Sequence, residues 1–353
     1  MTARRAAVVG TGLIGGSIGL ALRRRGWHVT GQDDSSDIAA RALALGALDA
    51  VGTDPDADLT FVATPVRAVA EAARAALAGG RGIVTDVGSV KASVVEAVSD
   101  PRFIGGHPMA GSEQDGIDGA DPDLFAGAVW VLTPTPATDD AAYQLVRSVV
   151  TELGADVVAL DPVHHDALVA VVSHVPHLTA ASLMRLADRR ATEHRALLRL
   201  AAGGFRDMTR IASGHPGIWP DICAENRSAI VEVLDGLLLA LTEVRGIVAG
   251  ADREALLAVL EEARAARSNL PTRLTGVGDL AEVRIPVPDR AGVLAEVTTL
   301  AGRIDVNIAD LEIAHSSEGD RGVLILVVEA SAADRLREAL VAAGYRPAVT
   351  PLE

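Results

Sequence analysis

Gly10-Thr11-Gly12-Leu13-Ile14-Gly15 follows the apolar run Ala6 to Val9 and opens a helical stretch. Three glycines at this spacing, between a strand and a helix, are the fingerprint of a dinucleotide-binding turn. Gly10 permits the tight turn, Gly12 lets the backbone approach a pyrophosphate, and Gly15 lets helix and strand pack closely. Unpaired N–H groups at the start of the helix attract the phosphates. The stretch predicts a Rossmann-type domain, and the alternative is an ordinary glycine turn.

An acidic residue at the end of the next strand indicates which dinucleotide binds. Asp33 lies 18 residues beyond Gly15, close to the roughly 20 at which an acid takes the ribose hydroxyls. Residues 32–36 include no arginine that would neutralise a 2′-phosphate, so the sequence predicts NAD rather than NADP. The alternative for Asp33 is a helix N-cap or turn residue. We also expect the cofactor to contact Leu13, Ile14, Thr64 and Asp86.

The pattern of apolar residues divides the chain into three predicted domains. Residues 1–160 alternate short apolar runs with alanine-rich stretches, which predicts an α/β domain with a parallel sheet covered by helices. Residues 161–268 show helical periodicity throughout, and 268–278 have the Pro/Gly composition of a linker. Residues 279–353 read strand, helix, strand, strand, helix, strand, the ferredoxin-like order. The expected strands are 6–9, 28–30, 59–63 and 82–85 in the first domain and 282–287, 307–314, 322–330 and 345–350 in the third.

Composition excludes several classes of partner. The net charge of −15 argues against nucleic acid and anionic membranes, and charges interrupt every apolar stretch before a membrane span is reached. The start of the chain shows no signal peptide, and Cys223 is a single cysteine, so we expect a cytoplasmic protein. Lys91 is the only lysine, and we interpret it either as a loop cation at the rim of the cofactor or substrate site or as a helix-surface residue.

Two loops rich in small and polar residues are expected where a doubly wound sheet places its active site: DVGSVK at 86–91 and GGHPMAGSE at 105–113. Together with GxGLIGGS at 10–17, SHVPH at 173–177 and FRDMTRIA at 205–212, they resemble the prephenate/arogenate dehydrogenases in content and order. The resemblance covers essentially the whole chain. It implies oxidation of the ring 4-hydroxyl of prephenate or arogenate, hydride transfer to NAD, and loss of the ring carboxylate as CO2, a step of tyrosine biosynthesis.

Oxidation of a carbinol needs a group that withdraws the hydroxyl proton, and a histidine suits this role. His107 resembles the catalytic histidine of the family, and Ser89 resembles the partner that hydrogen-bonds the substrate hydroxyl or orients that histidine. The alternatives are a satisfied loop histidine and a helix N-cap. His174 and His177 flank Pro176, which suggests a helix start or kink. By resemblance His177 points at the substrate, whereas His174 is either a supporting or a structural residue.

The carboxylates of the substrate call for a cation. Arg206 and Arg210 are four apart on a predicted helix and should share a face. By resemblance Arg210 binds a carboxylate, Asp207 helps to hold it, and Trp219 and Glu113 lie near the pocket. The alternatives are a solvated surface pair for Arg206 and Asp207 and a core position for Trp219.

A metal site is not expected. His174 and His177 alone are too few ligands. His164, His165 and Asp166 could be recruited, but nothing fixes their geometry, and hydride transfer needs no metal.

The last domain resembles the ACT domains that bind amino acids. Asp289-Arg290-Ala291-Gly292-Val293-Leu294 matches their ligand loop, and Asn307 on the second strand adds to the match. By resemblance Asp289, Gly292 and Asn307 bind a regulatory aromatic amino acid, with tyrosine as the leading candidate. The alternative is a purely structural dimerisation domain. The long apolar repeats of the helical domain also favour a homodimer.

Three rival functions remain. A β-hydroxyacid dehydrogenase would need a catalytic lysine on a helix of its substrate domain, and no lysine follows Lys91. A sensor that binds NAD and an amino acid without catalysis is disfavoured by the intact His107, Ser89 and Arg210. The choice between prephenate and arogenate depends on a contact to the side-chain keto or amino group, which the sequence does not identify.

Overall fold

A computed structural model of the protein describes residues 4–112, 114–192, 197–268, 280–288, 290–315 and 321–352. The chain forms two compact units, one of residues 1–182 and 211–261, the other of residues 183–210 and 262–353. Glu113, Asp289 and residues 269–278 of the predicted linker lie outside the described residues.

The chain begins with alternating strands and helices, as the apolar pattern predicted. The strands are β1 (Arg5–Val9), β2 (His28–Gln32), β3 (Ala50–Val51), β4 (Leu59–Val62), β5 (Ile83–Asp86), β6 (Phe103–Pro108), β7 (Val129–Thr133) and β8 (Asp156–Ala159). The helices are α1 (Leu13–Arg24), α2 (Ser36–Ala44), α3 (Val66–Gly79), α4 (Ala92–Ala97) and α5 (Asp140–Glu152).

These strands form one eight-stranded sheet in the order β3-β2-β1-β4-β5-β6-β7-β8. The strands from β3 to β6 are parallel and have the order of a Rossmann fold. In its core Trp130 packs edge to face with Phe61, at 6.4 Å between ring centroids, and meets Phe125 at a tilt, at 5.0 Å. Parallel strands end at the same edge of a sheet, so the loops after β1, β2, β4, β5 and β6 meet there.

The sheet departs from the prediction at its far edge, because β7 is antiparallel to β6. Among its described residues the connection 109–128 has one regular element, the 3₁₀ turn Ile117–Gly119. At its ends Met109 N donates to Val129 O at 2.8 Å. A parallel neighbour would need a crossover that carries the chain back to the other edge. The sheet is therefore mixed rather than wholly parallel.

From Pro162 to Ser268 every regular element among the described residues is helical, as predicted. The elements are α6 (Pro162–Val169), a π turn (Ala170–His174), α7 (Val175–Ala191), α8 (Gly203–Thr209), α9 (Trp219–Glu225), α10 (Arg227–Ala249) and α11 (Arg253–Ser268), with 3₁₀ turns at Leu197–Leu200, Arg210–Ser213 and Pro216–Ile218. The helical run Pro162–Ala191 is long and apolar enough to cross a membrane. Core helices of soluble proteins also meet these two criteria. The run carries the buried polar side chains of His165, Asp166 and His174.

The end of the chain has the predicted order of strands and helices. It consists of β9 (Leu280–Pro288), α12 (Val293–Arg303), β10 (Ile308–His315), β11 (Arg321–Glu329), α13 (Ala330–Ala342) and β12 (Ala348–Leu352). The four strands form an antiparallel sheet in the order β10-β11-β9-β12. Asn307 was predicted on the second strand, but it is exposed and lies one residue before β10.

Candidate active site

The turn between β1 and α1 is built around glycines. Gly10 has a φ of +89°, and a Cβ there would lie 2.6 Å from the carbonyl oxygen of Ala63. A Cβ on Gly15 would lie 1.9 Å from the carbonyl oxygen of Gly10, so helix and turn pack too closely for any side chain. No side chain caps α1 at Gly12, which leaves the N–H groups of its first turn, from Leu13 and Ile14 onward, open to an anion. The geometry is that of the predicted phosphate-binding turn.

Asp33 joins this turn to the loop after β2. Its Oδ2 accepts from Thr11 N at 2.8 Å, and its Oδ1 accepts from Ser35 N at 3.1 Å. Asp34 next to it is exposed. Asp33 therefore acts as a turn residue, which was the alternative interpretation. Its contact with the ribose stays a prediction.

Thr64 lies in the loop between β4 and α3, on the other side of the turn. Its Oγ1 is buried and has no hydrogen-bond partner among the described residues. It lines a cavity of about 480 Å³ that also reaches Gln32, Asp34 and Glu71. The cavity lies beside α3, over the strands β1 and β4.

Lys91 is fully buried, which contradicts both sequence interpretations, the rim cation and the surface residue. Its Nζ donates to Asp86 Oδ2 and, at 2.7 Å, to Gly106 O. Asp86 also accepts from Gly88 N at 2.8 Å and from Gly106 N at 3.0 Å. Burial lowers the pKa of Lys91, and the Asp86 carboxylate opposes that shift. The pair ties the loop after β5 to the strand that carries His107.

This arrangement bears on the predicted contact of Asp86 with the cofactor. Asp86 is fully buried and both of its oxygens already accept hydrogen bonds from the protein. A direct bond to the cofactor would have to compete with these partners, so that contact remains a prediction.

His107 belongs to a chain of three buried side chains. Its Nδ1 lies 2.8 Å from His165 Nε2, and His165 Nδ1 lies 2.8 Å from Asp166 Oδ1. Asp166 also accepts from the backbone N–H groups of Lys91 at 2.8 Å and Ala92 at 2.9 Å. A carboxylate accepts, so His165 carries its proton on Nδ1 and accepts at Nε2 from His107 Nδ1–H. His107 Nε2 is left with a lone pair.

The surroundings of His107 keep the ring neutral. Burial, followed by His165, Lys91 and His174, holds the pKa of His107 well below its usual 6.5. A neutral imidazole with a free Nε2 lone pair accepts a proton, and the imidazolium that forms is stabilised through His165 by the Asp166 carboxylate. The arrangement is that of an oriented general base.

The helical run after His165 contains a wider turn. After the buried pairs 165/166 and 169/170, the next buried pair is 174/175 rather than 173/174, and the π turn Ala170–His174 accounts for the extra residue. Pro176 gives a local cause, because in a regular helix its ring would collide with the carbonyl four residues earlier. The predicted kink is therefore an inserted residue, and His174 at its end is buried.

His177 stacks on Trp219, with ring centroids 3.6 Å apart and planes inclined by 15°. Both side chains are half-buried rather than part of a closed core, and His174 meets the same indole edge-on at 6.2 Å. Partial burial lowers the pKa of His177. The two predicted substrate residues His177 and Trp219 thus form one aromatic wall.

The remaining predicted residues lie as follows. Ser89 is half-buried in the loop between Asp86 and Lys91. The side chain bonded to His107 is that of His165. The predicted hydrogen bond of Ser89 to the substrate hydroxyl stays a prediction. Arg210 opens a 3₁₀ turn just after α8, whereas the sequence placed it inside that helix with Arg206. Arg206 donates from Nε to Ala201 O at 3.1 Å. The carboxylate contact of Arg210 stays a prediction.

Sequence reasoning missed three contributors to this site: the pair His165 and Asp166, and Asn226, whose Nδ2 lies 3.2 Å from His174 Nδ1. It singled out Lys91 but not the burial of that side chain. We considered His165 and Asp166 only as metal ligands. Their place in the first turns of a helix could be read from the helix start Asp161-Pro162. Asn226 sits at the junction of α9 and α10, and no local pattern marks it.

Comparison with known proteins finds relatives that match most of the chain, including the segments that carry the site. Residues 18–159 match the model of the prephenate dehydrogenase nucleotide-binding domain, and residues 161–262 match that of the prephenate dehydrogenase dimerization domain. The prephenate dehydrogenase of Bacillus subtilis is 34% identical over 334 residues, which cover 90% of each chain. A crystal structure of Aquifex aeolicus prephenate dehydrogenase with hydroxyphenyl propionate and NAD+ has a TM-score of 0.71 and 31% identity, covering 76% of this chain and 98% of that one. Arogenate dehydrogenase from Synechocystis has a TM-score of 0.66 and 31% identity, covering 74% and 98%.

Proposed function

This chain belongs to the prephenate dehydrogenase family, and from that premise we propose that it oxidises prephenate to 4-hydroxyphenylpyruvate with NAD, as a step of tyrosine biosynthesis. It is an NAD-dependent oxidoreductase. The observation that carries the substrate chemistry is the chain Asp166, His165, His107, which ends in a free Nε2 lone pair.

The reaction follows from this geometry. NAD, when bound at the glycine turn, supplies the hydride acceptor. His107 takes the proton of the ring 4-hydroxyl at Nε2, the electrons of the broken O–H bond form the C=O bond, and the carbinol hydrogen leaves with its bonding pair as hydride. The ring carboxylate then leaves as CO2, and its bonding electrons make the ring aromatic. Arg210 is our proposed carboxylate ligand, with Ser89 at the hydroxyl and Glu113 at the rim.

The cofactor contacts follow the turn. Gly10, Gly12 and Gly15, with Leu13 and Ile14, would hold the pyrophosphate at the start of α1. Thr64, whose buried Oγ1 has no partner in the described part of the chain, and Asp33 would bind the adenosine half. The residues present fit the group, because the first turn of α1 is uncapped.

The test of function is a side-by-side measurement of kcat/KM for prephenate and arogenate, followed as NADH formation. The alternative substrate, arogenate, differs only at the side-chain amino group. Support for prephenate comes from the Bacillus subtilis relative, which matches over 90% of both chains. Preference for arogenate would overturn the substrate, and no NADH from either would favour the non-catalytic sensor.

We predict NAD over NADP by on the order of ten-fold or more in kcat/KM, because a 2′-phosphate would lie beside two carboxylates, Asp33 and Asp34. Steady-state rates with each cofactor at saturating substrate measure this. Asp34→Asn is the control that removes one charge while sparing the Asp33 bonds to the turn, and it should narrow the ratio. Equal use of both cofactors by the parent chain would contradict the role of Asp33.

Residues 279–353 are proposed to be a ferredoxin-like ACT domain that binds tyrosine. The support is the strand order β10-β11-β9-β12 and a cavity of about 170 Å³ at the loop between β9 and α12. Gly292, with φ of +89°, opens α12 at that cavity. Asp289 and Asn307 are the other proposed ligands.

We expect tyrosine to inhibit the full chain and Asn307→Ala or Asp289→Ala to weaken that inhibition without changing the uninhibited kcat. Calorimetry on the full chain measures binding directly, and Arg337→Ala, at an exposed side chain of α13, is the matched control. If neither tyrosine, phenylalanine nor tryptophan binds at millimolar concentration, the domain is structural.

We propose a homodimer formed by the helical region. Helix α10 exposes 54 to 73% of three apolar side chains, Leu238, Leu239 and Leu241. Exposing them to water is unfavourable, and a partner subunit that covered them would remove this cost. The matching family model is named for dimerization. A cytoplasmic location also remains our proposal, supported by the single cysteine.

A further inference from the structure

His174 holds a buried ring nitrogen that nothing in the described protein satisfies. The side chain is 1% exposed, and its Nε2 has no hydrogen-bond partner among the described residues. Buried polar atoms are nearly always paired in native proteins, so an orphan calls for an explanation. Its other nitrogen, Nδ1, lies 3.2 Å from Asn226 Nδ2.

Asn226 decides which nitrogen carries the proton. Its side-chain NH2 also donates to the carbonyl oxygen of Asp166 at 2.8 Å, which fixes the orientation of the amide. The amide therefore donates to His174 Nδ1, and the proton of a neutral ring sits on Nε2. Burial lowers the pKa of His174 to about 4, so the ring is neutral near pH 7. The orphan is a neutral N–H donor.

This donor lies beside the catalytic base. Asn226 contacts both His174 and Asp166, and Asp166 is joined through His165 to His107. The His174 ring also meets the indole of Trp219 edge-on at 6.2 Å. The π turn that ends at His174 gives the ring its inward direction. An acceptor nitrogen on His107 and a donor nitrogen on His174 thus share one neighbourhood, next to the wall formed by His177 and Trp219.

We propose that His174 is a substrate-binding residue whose Nε2–H donates to a carboxylate or keto oxygen of the substrate, and that Asn226 is the positioning residue that holds this tautomer. The inference rests on the proposed function. A substrate hydroxyl donates to His107, whereas carboxylate and keto oxygens only accept, so the pocket needs a donor as well as a base. A histidine of the other tautomer would present a lone pair and repel them.

His174→Leu removes the donor with little change of volume. We expect KM for prephenate to rise on the order of ten- to a hundred-fold, with a smaller change in kcat, as for a lost hydrogen bond to a charged group. His174→Gln retains an amide donor and should recover part of the affinity. His164→Leu is the matched control, since His164 is exposed on the same helical run and should leave both parameters unchanged.

The tautomer is tested separately. Nitrogen-15 NMR of the histidine rings in the full chain should show His174 protonated at Nε2. Asn226→Asp replaces the donor with a carboxylate, which accepts from Nδ1–H and moves the lone pair to Nε2. That variant should give the opposite signature and a KM as high as that of His174→Leu. A histidine with a purely structural role would show no link between tautomer and KM.

The outcomes separate the inference from the function on which it rests. If the parent chain oxidises prephenate but His174→Leu leaves KM unchanged, or if NMR shows the proton on Nδ1, the inference is wrong and the function stands. If the parent chain oxidises neither substrate, the proposed function is wrong, and NMR still decides the tautomer.

An inhibitor identifies which substrate oxygen accepts the hydrogen bond from His174. The compound is 3-(4-hydroxyphenyl)propionate, which lacks the keto group and the ring carboxylate. Weaker inhibition of His174→Leu assigns the donor to the side-chain carboxylate, and unchanged inhibition with a raised KM assigns it to another oxygen.

Discussion

Replacing His107 with asparagine is expected to lower kcat by roughly 10²- to 10⁴-fold, the usual contribution of a general base. The amide keeps a donor for His165 but offers no basic nitrogen to the substrate hydroxyl. NAD affinity should change little, because the glycine turn at Gly10 to Gly15 is formed by other loops. Single-turnover NADH formation measures the chemical step, and fluorescence titration measures NAD binding.

The pH dependence provides the control for this assignment. Burial and the neighbouring cations and histidines hold the pKa of His107 well below 6.5. The base is therefore neutral at pH 7, and activity is lost only as pH falls through that lowered pKa. We expect the acid limb of kcat/KM in the parent chain to lie below pH 6.5 and to be absent from the residual activity of His107→Asn. A variant with near-parental kcat would remove His107 from the mechanism.

Lys91→Met is expected to lower the free energy of unfolding by about 3–5 kcal/mol. Lys91 is fully buried, and its loss leaves the buried carboxylate of Asp86 without its counter-charge. Methionine fills most of the vacated volume, so the effect reports the charge rather than a cavity. Urea unfolding of the full chain, with and without NAD, measures the change.

The double variant Asp86→Asn with Lys91→Met is the matched control. Replacing both members of a buried ion pair is often close to neutral, so the double variant should recover much of the stability lost by Lys91→Met. Asn retains an oxygen that accepts from Gly88 or Gly106 N–H. If Lys91→Met alone were as stable as the parent chain, the buried Asp86 carboxylate would not need Lys91 as its counter-charge.

Local signals in the sequence were sufficient for the elements of the fold. The strand–glycine–helix order at Gly10 to Gly15 determined the Rossmann topology, and the helical periodicity and the strand order of the last domain appear as predicted. The reason is that hydrophobic periodicity and positive-φ glycines act over a few residues. The direction of β7 was not determined in this way, because it depends on a connection without any periodic element.

The site itself required the tertiary structure. His107 was identified from its loop, but its partner His165 is 58 residues away and could not be paired with it from spacing. Lys91 looked like a surface cation because charge usually seeks water, and only the closeness of Asp86 and Gly106 O makes its burial tolerable. Tautomers are set by hydrogen-bond partners, and the partners of His107 and His174 come from distant segments. The sequence therefore determined which residues are available for chemistry, while packing decided which nitrogens accept and which donate.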